Sequence, residues 1–407
     1  MKVKILHTAD WHLGKRLDNF SRIEEQREVL NEICQIADEQ QADIILIAGD
    51  LFDTFNPPIE AEDLFYKTLR RLTRNGQRPV IAIAGNHDSP ERIDAPDPLA
   101  RACGILLVGL PNTAVQPVEE NDAFALTQSV EGFFELNLAH LPFPIRLIHT
   151  PYANEVRLKK ALHVEDKNAA LNEVLQHNWD VLAQEYCDTK GVNLLISHLY
   201  MMRKGGEELE EPDGEKPLKI GNADLIYSDS IPTQIQYTAL GHLHRAHQIG
   251  VAEHPVVYSG SPLCYSFSEA GQEKYVMMVE VAPNETATYQ KIALTKGRPL
   301  TRKKFFSVDE AVDWLQQNPY HLVELTLVSD TFLKADDIKR IHQAHDGIIT
   351  IIPLVNVAHQ AEENKRKQVN LEQDIQGLFA DYFKQKNNGQ EPNDEIMDLF
   401  KEIINER

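Results

Sequence analysis

Each thing this chain lacks excludes a class of protein. Four cysteines in 407 residues, Cys34, Cys103, Cys187 and Cys264, lie far apart and form no Cys-x-x-Cys pair, so neither a thiolate zinc cluster nor a disulfide framework is expected. No apolar stretch approaches the ~20 residues that span a bilayer. No signal peptide is read at the first residues, and a cytoplasmic location is expected. Internal repeats and extended low-complexity tracts are absent. So is a Walker A loop, and any ATP-driven step must come from another chain. Positive charge is also scarce: 41 Lys and Arg stand against 62 Asp and Glu, a net charge of −21. Nucleic-acid binding rests on cationic patches, so a chain this acidic would hold DNA poorly by itself.

What is present is a set of five short motifs. They read Asp10-Trp11-His12, Gly49-Asp50-Leu51-Phe52-Asp53, Gly85-Asn86-His87-Asp88, Ser197-His198 and Gly241-His242-Leu243-His244. Each follows a short apolar run: Val3–Leu6, Ile44–Ala48, Val80–Ala84, Val192–Ile196 and Tyr237–Leu240. Such runs, bounded by turn residues, predict strands covered on both faces. Side chains just past the carboxyl ends of such strands converge on one rim, where open α/β sheets place their sites. Gly49, Gly85 and Gly241 would let the backbone turn sharply and approach that rim closely.

Singly, each motif is a turn with an ordinary surface residue. Together, and in this order, they collect carboxylates, an amide and imidazoles. That donor set suits two divalent metals, which activate water and hold a phosphoryl group for in-line attack.

At this point the chain resembles the calcineurin-like metallophosphoesterases. Leu6–Gly14 with its Trp-His-Leu-Gly extension, Gly49–Thr54 followed by Pro57-Pro58, and Tyr258-Ser259-Gly260-Ser261-Pro262 resemble the DNA-nuclease branch of that family. The resemblance is strong over the first 280 residues or so and architectural beyond. It implies an α/β sandwich of two sheets flanked by helices. It implies that Asp10, His12, Asp50 and His244 hold one Mn²⁺ and Asp50, Asn86, His198 and His242 the other, with Asp50 bridging. His87 would contact the scissile phosphate and protonate the leaving 3′ oxygen, and Asp88 would orient its ring. Relatives in archaea and eukaryotes carry a histidine where this chain has Asp53, so Asp53 is expected to support the metals rather than the phosphate. The implied activity is exonuclease on double-strand ends and endonuclease on single strands and hairpins, in DNA repair and recombination. The implied assembly is a homodimer within a heterotetramer, beside a coiled-coil ATPase. A small-molecule or cyclic-nucleotide phosphodiesterase on the same fold is the alternative. A metal-free scaffold would need broken ligands, and all seven positions are filled.

Cations that could face DNA are Lys15, Arg16, Arg203, Lys204 and Arg245, each beside a motif, with Arg298, Arg302, Lys303 and Lys304 as a second group. A solvated surface charge is the plain alternative for each. Part of the acidity is local: Glu207, Glu208, Glu210, Glu211, Asp213 and Glu215 crowd one Gly- and Pro-bearing loop.

Three units are expected. Residues 1–282 form the phosphoesterase domain, with helices over 21–40, 60–76 and 166–188 and irregular strands and loops over 111–149. Residues 283–355 form a small α/β cap, with strands at 288–294, 303–306, 322–328 and 348–353 and helices at 308–317 and 333–343. Residues 356–407 begin as a polar linker and end in two amphipathic helices. Their stripes are Ile375, Leu378, Phe379, Tyr382 and Phe383, then Ile396, Leu399, Phe400, Ile403 and Ile404, each at i, i+3, i+4, i+7, i+8 spacing. The pair either packs back on the cap or docks a partner's coiled coil, as the resemblance implies.

Overall fold

The computed structural model of the chain describes residues 1–117, 122–158, 167–206, 225–329, 333–355, and 377–380, 383, 392, 396–397 and 400. Two β-sheets face each other. The first has six strands in the order Thr288–Ala293, Tyr275–Val281, Val3–Thr8, Ile44–Ala48, Val80–Ile83, Ile105–Val108. The last four run parallel, and Tyr275–Val281 and Thr288–Ala293 pair antiparallel at the edge. The second has seven, in the order His247–Gln248, Val256–Tyr258, Tyr237–Gly241, Val192–His198, Ile145–Thr150, Phe133–Leu138, Phe124–Val130.

Side-chain alternation divides the core into three layers. Ile5, Leu46, Ile81 and Ile83 of the first sheet meet Leu147, Leu194, Ile196 and Ala239 of the second between the sheets. The opposite-facing Leu6, Ile45, Ile47 and Ala82 pack under the helices Ile23–Glu39 and Ile59–Leu72, through Leu30, Ile33, Phe65 and Leu69. Ile148, Leu195 and Leu240 pack under Lys167–Tyr186, through Leu171, Leu175 and Trp179. Strands buried on both faces favour apolar residues at nearly every position, which is why their sequences read as near-continuous runs; His7, His149, Asn193 and Thr238 are buried polar exceptions. All five predicted site strands form, and the sandwich is as expected.

Two expectations shift. The stretch expected to be irregular contains three regular strands, Phe124–Val130, Phe133–Leu138 and Ile145–Thr150. Thr288–Ala293, assigned to the cap, instead continues the first sheet by pairing with Tyr275–Val281. The boundary drawn at residue 282 therefore falls inside that sheet.

The small unit that follows is a parallel three-stranded sheet, Leu300–Phe305, Leu322–Ser329 and Ile348–Val355. The helices Val308–Gln317 and Ala335–Ala344 cover one face through Ala311, Leu315 and Ile341 on Val323, Leu325 and Leu327. At the other face Leu300 and Leu322 pack against Leu17 and Phe267 of the main body. The Arg298 N–H also donates to Glu25 at 2.6 Å.

Farther on, the Phe379 and Phe400 rings stack at 3.8 Å, joining the two C-terminal stripes, and both are half-buried. Leu378, Phe383 and Ile396 are likewise half-buried. Ile375, Tyr382, Leu399, Ile403 and Ile404 lie outside the described residues, as does the acidic loop at 207–215. No described helix is long and apolar enough to cross a membrane.

Candidate metal centre

The motif loops are tied to each other before any side chain is considered. Asp10 N–H donates to Gly49 O at 3.0 Å, His12 N–H to Asp50 O at 2.9 Å and Leu13 N–H to Leu51 O at 3.0 Å. The first two motifs therefore run in fixed register. The backbone is held in unusual conformations there: Asp10, His12, Asp50 and His242 have φ of 54°, 43°, 47° and 106°. For non-glycine residues each such conformation costs on the order of 1–3 kcal/mol and marks a site whose geometry is imposed by its surroundings. Two glycines are demanded by space. A Cβ on Gly85 would lie 2.1 Å from Asp50 Oδ1, and one on Gly241 would lie 1.9 Å from Ala48 O. At Gly241 the loops of the two sheets meet.

All seven expected ligands lie on this rim. Asp50 stands in the middle, with Oδ2 3.5 Å from His12 Nε2 and 3.3 Å from His198 Nε2. On one side His12 Nε2 lies 3.0 Å from His244 Nε2. On the other, Asn86 Oδ1 is 3.0 Å from His198 Nε2 and 3.2 Å from His242 Nδ1. Asp10, His12 and Asp50 bring ligand atoms within 4.8 Å of one another, as do Asp50, His198 and His242. Asp10 Oδ2 and Asp50 Oδ2 are buried and accept no hydrogen bond. A buried carboxylate oxygen without a partner is costly. Orphaned oxygens among converging imidazoles are what a cation would satisfy, so the donor set fits divalent metal.

The electrostatics agree. Burial, with Asp50 nearby, pushes Asp10 up to about 7 against the pull of His198 and His244. Burial also opposes ionisation of Asp50, but His198, His12 and His87 outweigh it and hold Asp50 below the usual carboxylate range. The His198 ring, disfavoured as a cation by burial, is raised to about 9 by Asp50 and Asp10.

His87 sits beside this cluster, its ring 4.8 Å from that of His12. Its backbone N–H donates to Asp50 Oδ1 at 2.9 Å. Its Nδ1 donates to the Asp53 carbonyl oxygen at 2.8 Å, so Nδ1 carries a proton and Nε2 is turned away from that contact. Asp88 does not orient that ring. Its carboxylate accepts from Gly85, Leu51 and Phe52 N–H at 2.7, 3.0 and 2.9 Å, and so splices the second and third motif loops together. A side chain adjacent in sequence points elsewhere once the loop turns. The Asp53 carboxylate lies 3.7 Å from His12 Nδ1 and 3.2 Å from Lys15 Nζ.

Of the expected DNA-facing cations, Lys15 stands at the rim through that ion pair. Arg16 is exposed and bonds Asn19 O. Arg203, Lys204 and Arg245 are exposed. In the second group, Arg298 is engaged by Tyr320 O, His321 O and Asp346. Arg302 pairs with Glu324 at 2.7 Å, while Lys303 and Lys304 lie over the rings of Trp314 and Phe306.

Four supporting residues carry no motif and were not legible in the sequence. Buried Arg157 donates to Gly85 O at 2.7 Å and Asp88 O at 2.8 Å, clamping the third loop. Gln26 reaches from the first helix to His12 O at 2.8 Å and Gly14 N at 3.1 Å. Glu269 and Lys274 stand behind His244.

The calcineurin-like phosphoesterase family profile matches residues 3–245. The SbcD subunit of the nuclease SbcCD from Bacillus subtilis is 36% identical over 98% of this chain and 97% of its own length. The chain belongs to this family of nuclease subunits. The protein of the same name from Staphylococcus epidermidis is 30% identical over 94% of this chain and 93% of its own. Among solved structures, a dimetal phosphatase from Danio rerio superposes with a TM-score of 0.40 at 12% identity, over 72% of this chain and 99% of that one. This member of the family is a metal-dependent phosphodiesterase.

Proposed function

We propose that the chain is a Mn²⁺-dependent DNA nuclease subunit. It acts as exonuclease on double-strand ends and endonuclease on single strands and hairpins, in DNA repair and recombination. What carries this reading is Asp50, whose Oδ2 lies between His12 and His198 at 3.5 and 3.3 Å, a bridging position between two donor groups. Asp10, His12, Asp50 and His244 hold one ion, and Asp50, Asn86, His198 and His242 the other. Oxygen and imidazole donors without thiolate favour Mn²⁺. Two such ions, when bound, supply Lewis acidity to a phosphodiester and lower the pKa of water.

The chain's own residues do the rest. His87 keeps Nδ1–H on the Asp53 carbonyl and presents Nε2 to the phosphate. Acting as the imidazolium, with a proton on each ring nitrogen, it gives the Nε2 proton to the leaving 3′ oxygen and is left as the neutral Nδ1–H ring. The Asp88 carboxylate and Arg157 hold the loop that carries His87. Lys15, poised on Asp53, offers positive charge to the incoming backbone, and Arg16, Arg203, Lys204 and Arg245 extend it along the rim.

The domain organisation follows the same reading. The small α/β unit caps the active site and shapes DNA access. The C-terminal stripes dock the coiled coil of an SbcC-type ATPase, and two copies of the chain pair within a cytoplasmic heterotetramer. The net charge of −21 fits a subunit that draws DNA affinity from that partner.

The test is a substrate panel with Mn²⁺: plasmid single strands, hairpins, blunt ends and bis-p-nitrophenyl phosphate. Cleavage of the DNA substrates supports the reading. Turnover of the small diester alone, with every DNA left intact, would assign the chain to small-molecule phosphodiesterases.

A further inference from the structure

The assigned ligands leave a buried charged pair unexplained. Glu269 is 1% exposed and Lys274 7%, and neither belongs to a motif. Burying both charges is expensive unless every donor and acceptor is used, and here they are. Lys274 Nζ donates to Glu269 Oε2 at 2.5 Å, to Ser261 Oγ at 3.0 Å and to His244 O at 3.0 Å. An ammonium has three protons, and all three are placed. Glu269 Oε1 accepts from Tyr265 and Ser266 N–H at 3.0 and 3.1 Å and lies 3.3 Å from His244 Nδ1. The pair thus grips His244 twice, Lys274 at its carbonyl and Glu269 at its ring.

The far side of the ring explains the grip. His244 Nε2 faces His12 Nε2 at 3.0 Å, the point at which one donor group converges. An imidazole ligates through an unprotonated nitrogen, and a carboxylate on the opposite nitrogen fixes which one that is. We propose that Glu269, itself held by Lys274, is a positioning residue that keeps the His244 proton on Nδ1 and turns Nε2 toward the metal site.

Glu269 is well placed to be rigid. It ends the short helical turn Phe267–Glu269, whose start is fixed by a reciprocal cap between Ser266 and Glu269. Phe267 of the same turn is anchored among Leu17, Leu300 and Leu322. The carboxylate is therefore fixed by its own turn and by the seat of the cap.

The inference rests on the ligand assignment above, and the test separates the two. The full chain is labelled with ¹⁵N-histidine and stripped of metal with chelator, and the His244 ring signals are assigned from His244→Asn. The wild type is expected to show His244 protonated at Nδ1 only. Glu269→Ala should move that proton onto Nε2 or average it over both nitrogens. In calorimetry the same variant should lose roughly 10–100-fold in Mn²⁺ affinity at one of two sites, the usual effect of removing such a partner, with KM for DNA unchanged. Glu269→Gln fills the same space and should lose less. It carries the test if Glu269→Ala fails to fold. An unchanged His244 tautomer together with Mn²⁺ affinity within twofold of wild type would overturn the proposal and leave Glu269 a structural residue. Absence of Mn²⁺ binding by the wild type would count against the ligand assignment instead, while the metal-free tautomer would still decide the role of Glu269.

Discussion

His12 Nε2 and His244 Nε2 face each other at 3.0 Å, although 232 residues separate them. One imidazole follows a strand of the first sheet and the other a strand of the second, so the contact exists only because the two sheets are stacked with their carboxyl ends on one rim. Asp50 Oδ2, 3.5 Å from His12, joins the same convergence. The site is a property of the sandwich as a whole, and each ligand depends on the packing of a different strand.

Asp50 is the sharpest point of attack because it belongs to two of the three groups of converging ligand atoms among the described residues; the third is His12, Asp53 and His87. Asp50→Ala should lower the metal content of the purified chain and abolish turnover on every substrate. Its folding should survive, since the side chain makes no packing contribution comparable to the core layers. Elemental analysis beside a nuclease assay reads both effects. Full metal occupancy with normal turnover in this variant would refute the bridging assignment.

His87 separates binding from chemistry. Its ring bonds Asp53 O, and it belongs to neither group of converging ligand atoms that contains Asp50. His87→Ala should therefore keep its metal and still bind DNA ends, while turnover falls by roughly 10²–10⁴, the usual effect of losing a positioned proton donor. Loss of metal in this variant would make His87 a ligand.

His149 controls acid stability. It lies on the same face as Ile145 and Leu147, which pack between the sheets. Neither ring nitrogen has a hydrogen-bond partner, and burial lowers its pKa from 6.5 to about 3. In the unfolded chain the ring takes a proton near pH 6.5, whereas in the folded chain it resists until about pH 3. Stability is thus independent of this ring's protonation above pH 6.5 and falls as the pH drops from there toward 3, because the unfolded chain takes the proton first. His149→Leu should flatten this limb by up to roughly 1.4 kcal/mol per pH unit and raise stability at pH 7, because two unsatisfied polar atoms leave the core. Urea midpoints at pH 7, 5.5 and 4.5 test this. Parallel curves for variant and wild type would show that His149 is not the group responsible. His7 has the same lowered pKa from burial and will preserve part of the acid sensitivity.

The sequence was most informative where one residue sufficed for a decision. Near-continuous apolar runs marked the strands, because burial on both faces favours apolar residues, and the motifs after them marked the rim. The helix Val308–Gln317 was legible to the residue from its stripe; its cap, Ser307, is seen only in the structure. Pairing was less legible. The pattern of Thr288–Ala293 identifies a strand but not its sheet, and only its register with Tyr275–Val281 places it in the main domain. Phe124–Val130 was obscured by exposed polar positions and a register shift at Leu126/Gln128. The supporting groups were the least visible. Arg157 serves loop carbonyls 72 and 69 residues away, and Asp88 serves backbone N–H groups rather than the neighbouring histidine. Backbone partners leave no mark in a motif.

The C-terminal helices allow a test of assembly. Phe379 and Phe400 stack at 3.8 Å, so the two stripes meet at that ring pair. Described members of the stripes remain half-buried. Burying a large apolar side chain fully is worth roughly 1.5–3 kcal/mol, and a partner helix laid along them would complete that burial. A chain ending near residue 356 should fold, dimerise and keep Mn²⁺-dependent cleavage of single strands, because the core layers and the rim lie before that point. It should lose co-purification with SbcC, and with it ATP-stimulated processing of duplex ends. Phe379→Glu should mimic that loss, since it sets a charge against Phe400 where the stripes meet. Leu378→Glu, on the same stripe but outside the stacked ring pair, should weaken SbcC capture and leave the two helices paired. Undiminished SbcC binding by the truncated chain in a pull-down would refute the docking role and leave the helices as a hairpin folded on their own chain.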